Sequence, residues 1–490
     1  MKRYIFRLIL LSLTALIFTF TSCKKGGGGD VPDVPDKPDV PEVKELKFPK
    51  TEMRAAWITT AWGIDWSQDQ YGAAAQKEQF KKYMKLLKDL NMNVAFVQIK
   101  PMGDAFYDSP YEPWCAWITG TRGKDPGYDV LKFMIDAAHA EGIEFHAWMN
   151  PYRISTRANR TTPYPSLHPS IPKSWVVDHE KIRIYNPALP EVRQRLCDIV
   201  KDLITKYDVD GVHFDDYFYP ARSSAGIMVS DERDYEKYGK GFAKIEDFRR
   251  DNMTQAIKMV HETILANKPK VRFSISPAPN QKSNYDDLYA DAHLWCKSGY
   301  MDFVIPQLYQ EIGNKYNDFQ TNMYSWAQYR GKCVMVVGHG LYKFEDPKTY
   351  PKFNSANELR NQMELTEREG RVHGNVFYSM RSLERNPLGT VDVIREKYRY
   401  PALVPYSELQ AATMDKPSTP TVKLNGSKLA WNNSAGMRYS VYYFVTQNDP
   451  GRLLSITDKG IFDMNQRGYY CVVAVNDVNL QSDPSPLQKY

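Results

Sequence analysis

Between about residues 50 and 400, short runs of β-branched and aromatic residues alternate with longer amphipathic stretches. The short runs predict eight strands, at 54–60, 93–100, 144–150, 211–217, 272–278, 303–309, 333–340 and 375–380. The longer stretches predict a helix after each strand, at about 76–90, 128–141, 190–206, 243–267, 284–297, 317–329, 355–369 and 382–398. Eight such units favour an α/β fold, a closed (β/α)8 TIM barrel. A doubly wound parallel sheet is the alternative, but no glycine-rich phosphate turn accompanies these units.

Two of the connections that follow predicted strands are long. They cover residues 101–127 and 151–189, and both are rich in Pro, Tyr, Trp and Arg. In a TIM barrel the segments that follow the strands lie on the C-terminal face, where active sites are found. We therefore expect both connections to form walls of a cleft.

The pattern changes after residue 401, where short alternating runs are separated by turn residues. The runs lie at 421–424, 428–431, 439–445 and 468–475, and they predict a small all-β, immunoglobulin-like sandwich. Its sequence resembles a fibronectin type III domain. We predict a barrel domain over residues 48–402 and this second domain over residues 415–490, with the chemistry confined to the barrel.

Residues 1–22 have the composition of a signal peptide: a basic start, an apolar run at 8–20 and small residues just before Cys23. This arrangement resembles a bacterial lipoprotein signal, in which Cys23 is lipidated and anchors the chain to a membrane. An ordinary signal peptide or an uncleaved anchor is the alternative. Residues 23–47 form a Gly- and Pro-rich linker. We expect an outer-membrane lipoprotein that faces the periplasm or the cell surface, and the lysine after Cys23 favours the periplasmic side.

Charge and cysteine content exclude several classes of function. The formal net charge is +6, and three of the positive charges belong to the signal segment, so the excess is too small for a nucleic-acid-binding protein. The five cysteines after Cys23, at positions 115, 197, 296, 333 and 471, lack the short spacings of a zinc site or a disulfide framework. They predict buried free thiols, and the sequence calls for no cofactor.

Polar residues recur at alternate positions towards the ends of the predicted strands. Alternate residues of a barrel strand point inward, so these side chains predict a polar pocket at the mouth of the barrel. The set comprises Gln98, Lys100, His146, Trp148, Asn150, His213, Asp215, Ser274, Ser276, Gln307 and Tyr309.

Cleavage of a glycosidic bond requires two carboxyl groups. The segment at 211–220 reads GVHFDDYFYP and offers two neighbouring ones. Adjacent strand residues face opposite sides, so we expect only one of them inward, and the pairing of Asp215 with His213 favours Asp215 over Asp216. The candidates for the second group are Glu311 and Asp104, of which Glu311 is preferred, and Asp216 and Glu384 are the weaker candidates.

A sugar-binding role suits further aromatic and polar residues of the same region. The substrate-binding candidates are Arg54, Trp57, Trp62, Gln98, His146, Trp148, Asn150, Arg153, His213, Tyr217, Gln307 and Tyr309. A metal site of His146, His213, Asp215 and His339 is an alternative. The first predicted strand lacks the paired histidines of metal-dependent amidohydrolases, so we predict no metal ligands.

Five ordered segments together resemble the glycosyl hydrolase-like 10 family. They are RAAWITT at 54–60, PMGDAFY at 101–107, HAWMNPYR at 146–153, GVHFDDYFYP at 211–220 and PQLY at 306–309. The resemblance covers roughly residues 50–400 and implies a (β/α)8 glycosidase. It also implies activity on peptidoglycan glycan strands, particularly strands without stem peptides, with Asp215 or Asp216 as the catalytic carboxylate. Gln310 departs from the family, whose members often have Trp after PQxY.

The sequence thus predicts an exported glycoside hydrolase that acts on peptidoglycan or a related polysaccharide, with Asp215 as nucleophile or base. A non-catalytic, cell-surface glycan-binding lipoprotein is the alternative. A metal-dependent hydrolase or deacetylase is the third hypothesis.

Overall fold

The computed structural model describes residues 46–412 and 414–490. Eight parallel strands close into a barrel, each paired with the next and the last with the first. They are β1 (Met53–Ile58), β2 (Val94–Lys100), β3 (Glu144–Met149), β4 (Gly211–Phe214), β5 (Arg272–Ile275), β6 (Phe303–Val304), β7 (Val334–Gly340) and β8 (Val372–Tyr378). The TIM barrel prediction is confirmed. β6 is shorter than the predicted strand because Pro306 has no N–H to donate to a neighbouring strand.

The α-helices surround the barrel or lie in its connections. In chain order they are Ala73–Asp89, Ala116–Thr119, Val130–Ala140, Pro190–Lys206, Arg222–Ala225, Glu232–Tyr238, Ile245–Asn267, Ala292–Ser298, Phe319–Tyr329, Asn357–Arg368, Met380–Arg385, Thr390–Lys397 and Glu408–Ala411.

Two predicted helices are divided in the structure. The stretch predicted at 284–297 is a π-helical turn, Ser283–Asp287, followed by the helix Ala292–Ser298. The stretch predicted at 382–398 is interrupted after Arg385, because Asn386 has a left-handed φ of 49° and Pro387 follows it. A left-handed residue ends a helix, and proline cannot donate the next backbone hydrogen bond.

Large aromatic side chains fill part of the barrel interior. Trp57, Phe96 and Trp148 pack with the interior residues of β6, β7 and β8 in one buried cluster. The interior also contains the ring of His146, which fits because residue 211 is glycine. A Cβ on Gly211 would lie only 2.3 Å from the Nδ1 atom of His146.

The connection at 151–189 folds into a three-stranded antiparallel sheet that sequence patterns did not predict. Its strands are Arg153–Thr156, Val176–His179 and Ile182–Tyr185, with Ile182–Tyr185 in the middle. The connection at 101–127 is held by a buried ion pair of 3.1 Å between Lys100 Nζ and Glu112 Oε2. Both connections are therefore fixed to the barrel.

The C-terminal region contains two antiparallel sheets. One consists of Val422–Asn425, Lys428–Trp431 and Ile461–Asp463, the other of Arg438–Phe444, Arg452–Thr457, Tyr469–Val475 and Gln488–Lys489. The all-β prediction is confirmed, although Arg452–Thr457, Ile461–Asp463 and Gln488–Lys489 were not predicted. The likeness to fibronectin type III stays a prediction.

The five cysteines after Cys23 are buried free thiols, as predicted. Within the described part of the chain, no helix is long and apolar enough to cross a bilayer. The signal peptide, Cys23 and nearly all of the linker lie outside the described residues, so the prediction of a lipid anchor stays open.

Replacement of Gly211 by alanine tests the packing of the barrel interior. We expect Gly211→Ala to destabilise the protein by about 1–3 kcal/mol or more, because the added methyl group collides with the buried ring of His146. Urea unfolding measures the loss. Gly370→Ala is the matched control, since nothing lies within 4 Å of its Cβ position. Equal stability of the two variants would contradict the proposed contact.

Candidate active site

A cavity of about 210 Å³ opens at the C-terminal ends of the barrel strands. Aromatic and polar side chains line it: Trp57, Thr59, Ala61, Trp62, Gln98, Trp148, Arg153, Asp215, Asp216, Tyr217, Ser276, Gln307, Tyr309, Tyr342 and Tyr378. Larger crevices, of about 460 and 710 Å³, lie beside the C-terminal sheets. The smaller cavity is the candidate site because TIM-barrel active sites occupy the C-terminal face.

Asp215 is the most deeply buried carboxyl group of this cavity, with 2% of its surface exposed. Its Oδ2 atom accepts a hydrogen bond of 2.9 Å from Trp148 Nε1. Burial raises the pKa of Asp215 to about 7, against the opposing effect of the Arg153 charge, and the negative charge of Asp216 raises it further. The group therefore holds a proton over much of the range below neutral pH.

Asp216 also lines the cavity, although only one of the two carboxyl groups was expected to face inward. That expectation is wrong because β4 ends at Phe214, so the two residues lie beyond the alternation of the strand. Asp216 is half-buried. Desolvation raises its pKa, and a side-chain hydrogen bond with Gln307 opposes the rise.

His213 lies within the barrel and supports Trp57. Trp57 Nε1 donates a hydrogen bond of 3.1 Å to His213 Nε2, and His213 Nδ1 lies 2.8 Å from Ser274 Oγ. Since Nε2 accepts, the ring proton is on Nδ1 and points to Ser274. Burial lowers the pKa of His213 well below its usual value, so the ring is neutral. We assign to His213 the role of positioning the indole ring of Trp57.

Two buried polar residues fix the loop that carries Trp62. Gln98 Oε1 accepts hydrogen bonds from the backbone N–H groups of residues 60 and 61, at 3.1 and 2.9 Å. The carboxylate of Asp65 accepts from Thr59 N at 2.6 Å and from Ser379 Oγ at 2.6 Å, and so joins the ends of β1 and β8. Burial raises the pKa of Asp65 to about 6. Asp65 was not among the predicted site residues because it lies in a loop outside the periodic pattern.

Tyrosines form one wall of the cavity. Tyr309 was predicted, and its ring stacks on Tyr378 with 5.8 Å between the centroids. Tyr342 meets both rings edge to face. Tyr342 and Tyr378 were missed, although Tyr378 ends β8 at an inward position that the alternation rule identifies.

The structure does not place Glu311 or Asp104 among the lining residues. Glu311 Oε1 accepts a hydrogen bond of 2.9 Å from Asn314 Nδ2 in its own loop. Asp104 is buried within the connection at 101–127, where desolvation raises its pKa and the charge of Arg122 opposes the rise. The cavity therefore offers Asp215 and Asp216 as its carboxyl pair.

Three predicted binding residues have other contacts. Arg54 lies near the start of β1, at the opposite end of the barrel, and pairs with Glu52 at 2.9 Å. His146 is buried in the barrel, 3.4 Å from a carboxylate oxygen of Glu144. Asn150 Oδ1 accepts a hydrogen bond of 3.0 Å from the backbone N–H of Arg153 and so positions that residue.

In the part of the chain that the structure describes, no cluster of three or more His, Cys, Asp or Glu side chains is arranged to hold a metal ion.

A TIM barrel with paired carboxyl groups in an aromatic cavity on its C-terminal face has the arrangement that glycoside hydrolases use. Residues 52–352 match the family Glycosyl hydrolase-like 10, and the chain belongs to this family. It is a glycoside hydrolase, an enzyme that acts on O-glycosyl bonds.

Several known proteins are similar to this chain. Glycosyl hydrolase YngK of Bacillus subtilis (strain 168) is 38% identical over 430 residues, which are 83% of this chain and 79% of that protein. Glycosyl hydrolase DigH of Escherichia coli (strain K12) is 32% identical over 363 residues, 66% of this chain and 82% of that protein. Among solved structures, the glycoside hydrolase domain of PgaB (BpsB) from Bordetella bronchiseptica aligns with a TM-score of 0.47 and 13% identity, covering 71% of this chain and 99% of that one.

Asp215→Asn tests the burial of the carboxyl group through stability. The folded pKa of Asp215, about 7, is above its ordinary value of 3.8, so the wild-type protein loses stability as the pH rises through this range. The amide does not ionise. From pH 5 to pH 8 we therefore expect the variant to gain on the order of 2–3 kcal/mol relative to the wild type in urea unfolding. The exposed Asp458→Asn is the control, and a pH-independent difference for Asp215→Asn would contradict the prediction.

Proposed function

We propose that the enzyme cleaves glycosidic bonds in peptidoglycan glycan strands or a related polysaccharide, with Asp215 as general acid and Asp216 as the second catalytic carboxyl group. The observation that carries this proposal is the pair of carboxyl groups, Asp215 and Asp216, that lines one aromatic cavity on the C-terminal face of the barrel, and the burial that raises the pKa of Asp215 to about 7 supports it. The sequence alone predicted Asp215 as nucleophile or base. A carboxyl group that keeps its proton near neutral pH is better suited to donate it.

The two carboxyl groups divide the reaction between them. Asp215 gives its proton to the departing glycosidic oxygen while the bond from that oxygen to the anomeric carbon breaks. Trp148 donates to Oδ2 at 2.9 Å, whereas the backbone N–H of Tyr217 reaches Oδ1 only at 3.4 Å, so the transferable proton is assigned to Oδ1. Asp216 stabilises the positive charge that develops on the sugar ring or activates the attacking water. Water supplies the hydroxyl group of the new sugar end, and the proton that it loses, which passes to Asp216 where this group activates the water, restores the acid form of Asp215 by exchange with solvent.

The cavity rim provides faces on which sugar rings can stack. Trp62 is 51% exposed and Tyr217 is 48% exposed, and both line the cavity. Aromatic rings with one exposed face are suited to the apolar faces of pyranose rings. Peptidoglycan as substrate is supported by the family resemblance of the sequence and by the export signal predicted before residue 23.

Substitution of either carboxyl group tests the proposed mechanism. We expect Asp215→Asn and Asp216→Asn each to lower kcat by about 10²- to 10⁴-fold. The measurement is mass analysis of products from intact peptidoglycan, peptide-free glycan strands and plant polysaccharides. Because the acid form of Asp215 is required, wild-type activity should fall as the pH rises above about 7.

Trp148→Phe provides the control for the assignment of the proton donor. It removes the N–H that stabilises ionised Asp215, so the decline of activity at alkaline pH should move to higher pH. Full activity of both asparagine variants would refute the carboxyl pair. Retention of a polysaccharide without any product, over a long incubation, would favour the glycan-binding alternative.

We also propose that the protein is an exported lipoprotein of the outer membrane, anchored through Cys23. The support is the order of basic, apolar and small residues before this cysteine. Cells that express the full chain should incorporate a radiolabelled fatty acid into it, and Cys23→Ala should abolish the label. Cys115→Ala changes a buried thiol of the barrel domain and should leave the label intact. An unlabelled wild-type protein would contradict the anchor.

A further inference from the structure

Arg153 differs from the other buried arginines in its partners. Arg249 pairs with Asp231 at 2.6 Å, and Arg272 pairs with Glu144 at 2.7 Å. Arg153 is only 6% exposed, yet it forms no salt bridge with any residue that the structure describes. A guanidinium charge removed from water is costly unless an anion accompanies it. The charges of Asp215 and Asp216 act on it only through space, so the cavity contains a buried guanidinium without a directly bonded anion.

The guanidinium group of Arg153 is held in a fixed position. Its Nε and Nη2 atoms donate to the carbonyl oxygen of Pro101 at 3.3 and 3.2 Å. Its central carbon lies 5.5 Å from the ring centroid of Trp62 and 4.3 Å from that of Tyr217. A guanidinium has five N–H donors, so donors remain for a ligand after the bonds to Pro101 and a hydrogen bond with the Tyr217 side chain. The group is thus prepared in advance to bind an acceptor in the cavity.

The electrostatic surroundings allow that acceptor to be an anion. Arg153 is the one cationic side chain among the residues that line the cavity. Of the two lining carboxyl groups, Asp215 is largely neutral below its pKa of about 7. Desolvation also raises the pKa of Asp216, the other lining carboxyl group. A planar carboxylate matches the donors of a guanidinium, which also stays charged at every relevant pH.

We propose that Arg153 binds a free carboxylate on the substrate, so that the enzyme selects a sugar that carries this group close to the bond to be cleaved. This inference rests on the proposed glycosidase function and names the feature of the substrate that the cavity recognises. Two sources supply such a carboxylate: the lactyl group of muramic acid in a glycan strand without stem peptides, and a uronic acid. A lactyl carboxylate that is joined to a peptide is an amide and carries no charge.

The test compares polymers that differ only in this charge. The wild-type enzyme is assayed on peptide-free glycan strands and on the same strands after methyl esterification of their carboxylates. Polygalacturonate and its methyl ester form a second pair, which reports a uronic acid. We expect kcat/KM to be about 10- to 100-fold higher for the acid than for the ester of the preferred pair, as a charged hydrogen bond requires.

Variants of Arg153 then assign the preference to this side chain. Arg153→Gln should reduce the ratio of acid to ester to about 1, and Arg153→Lys should keep a several-fold preference because the charge remains. Arg157→Gln is the matched control, since Arg157 follows the same strand, binds the carbonyl oxygen of Glu180 and is not a lining residue. It should keep the wild-type ratio. Because the readout is a ratio, a partial loss of folded protein does not change it.

The outcomes separate this inference from the proposed function. Cleavage of acid and ester at equal rates by the wild type overturns the role of Arg153 and leaves the glycosidase function standing. The role of Arg153 is also overturned if Arg153→Gln lowers kcat/KM by the same factor for the acid and for the ester. If no polymer is cleaved, the proposed function fails, and titration of tryptophan fluorescence still decides the inference. Tighter binding of the acid than of the ester then supports it, and equal affinity refutes it.

Discussion

The cavity depends on hydrogen bonds between buried polar side chains inside the barrel. These bonds take the place of the hydrogen bonds to water that the same groups lose when the protein folds. The N–H of Trp57 points to His213, and the other ring nitrogen of His213 lies beside the hydroxyl of Ser274. These contacts join β1, β4 and β5 and hold the indole ring at the base of the cavity. A buried donor or acceptor without a partner costs free energy, so such a chain fixes the side chains in one arrangement. The barrel interior thereby positions the groups above it.

The same burial explains the chemistry of Asp215. Removal of the carboxyl group from water raises its pKa more than the Arg153 charge and the N–H of Trp148 lower it. The raised pKa suits Asp215 to acid catalysis. It also lowers the stability of the folded protein at alkaline pH, where the buried group must ionise. Arg153 limits this effect and supplies the cationic side chain of the cavity lining. Asp215 keeps its proton, and Arg153 contributes a positive charge, in the same buried cavity.

The C-terminal sheets are joined to the barrel through buried polar contacts. Asn479 Nδ2 donates a hydrogen bond of 2.8 Å to Glu144 Oε1 at the start of β3. The same carboxylate pairs with Arg272. Arg438 Nη2 donates to Asn479 Oδ1 at 2.6 Å, and the φ of 64° at Asn479 places that side chain on a tight turn. These contacts integrate the region with the end of the barrel opposite the active site.

The sequence by itself determined the barrel, the inward alternation of its strands and most of the cavity lining, because strand periodicity and short motifs are local properties. It identified Asp215, Trp148, Gln307 and Tyr309 for this reason. Only the tertiary structure brought both Asp215 and Asp216 into the cavity and left Glu311 and Asp104 outside it. Loop residues take their directions from contacts distant in sequence, such as the bond from Ser379 to Asp65. The burial that sets the pKa of Asp215 and leaves Arg153 without an ion pair is likewise a property of the assembled fold.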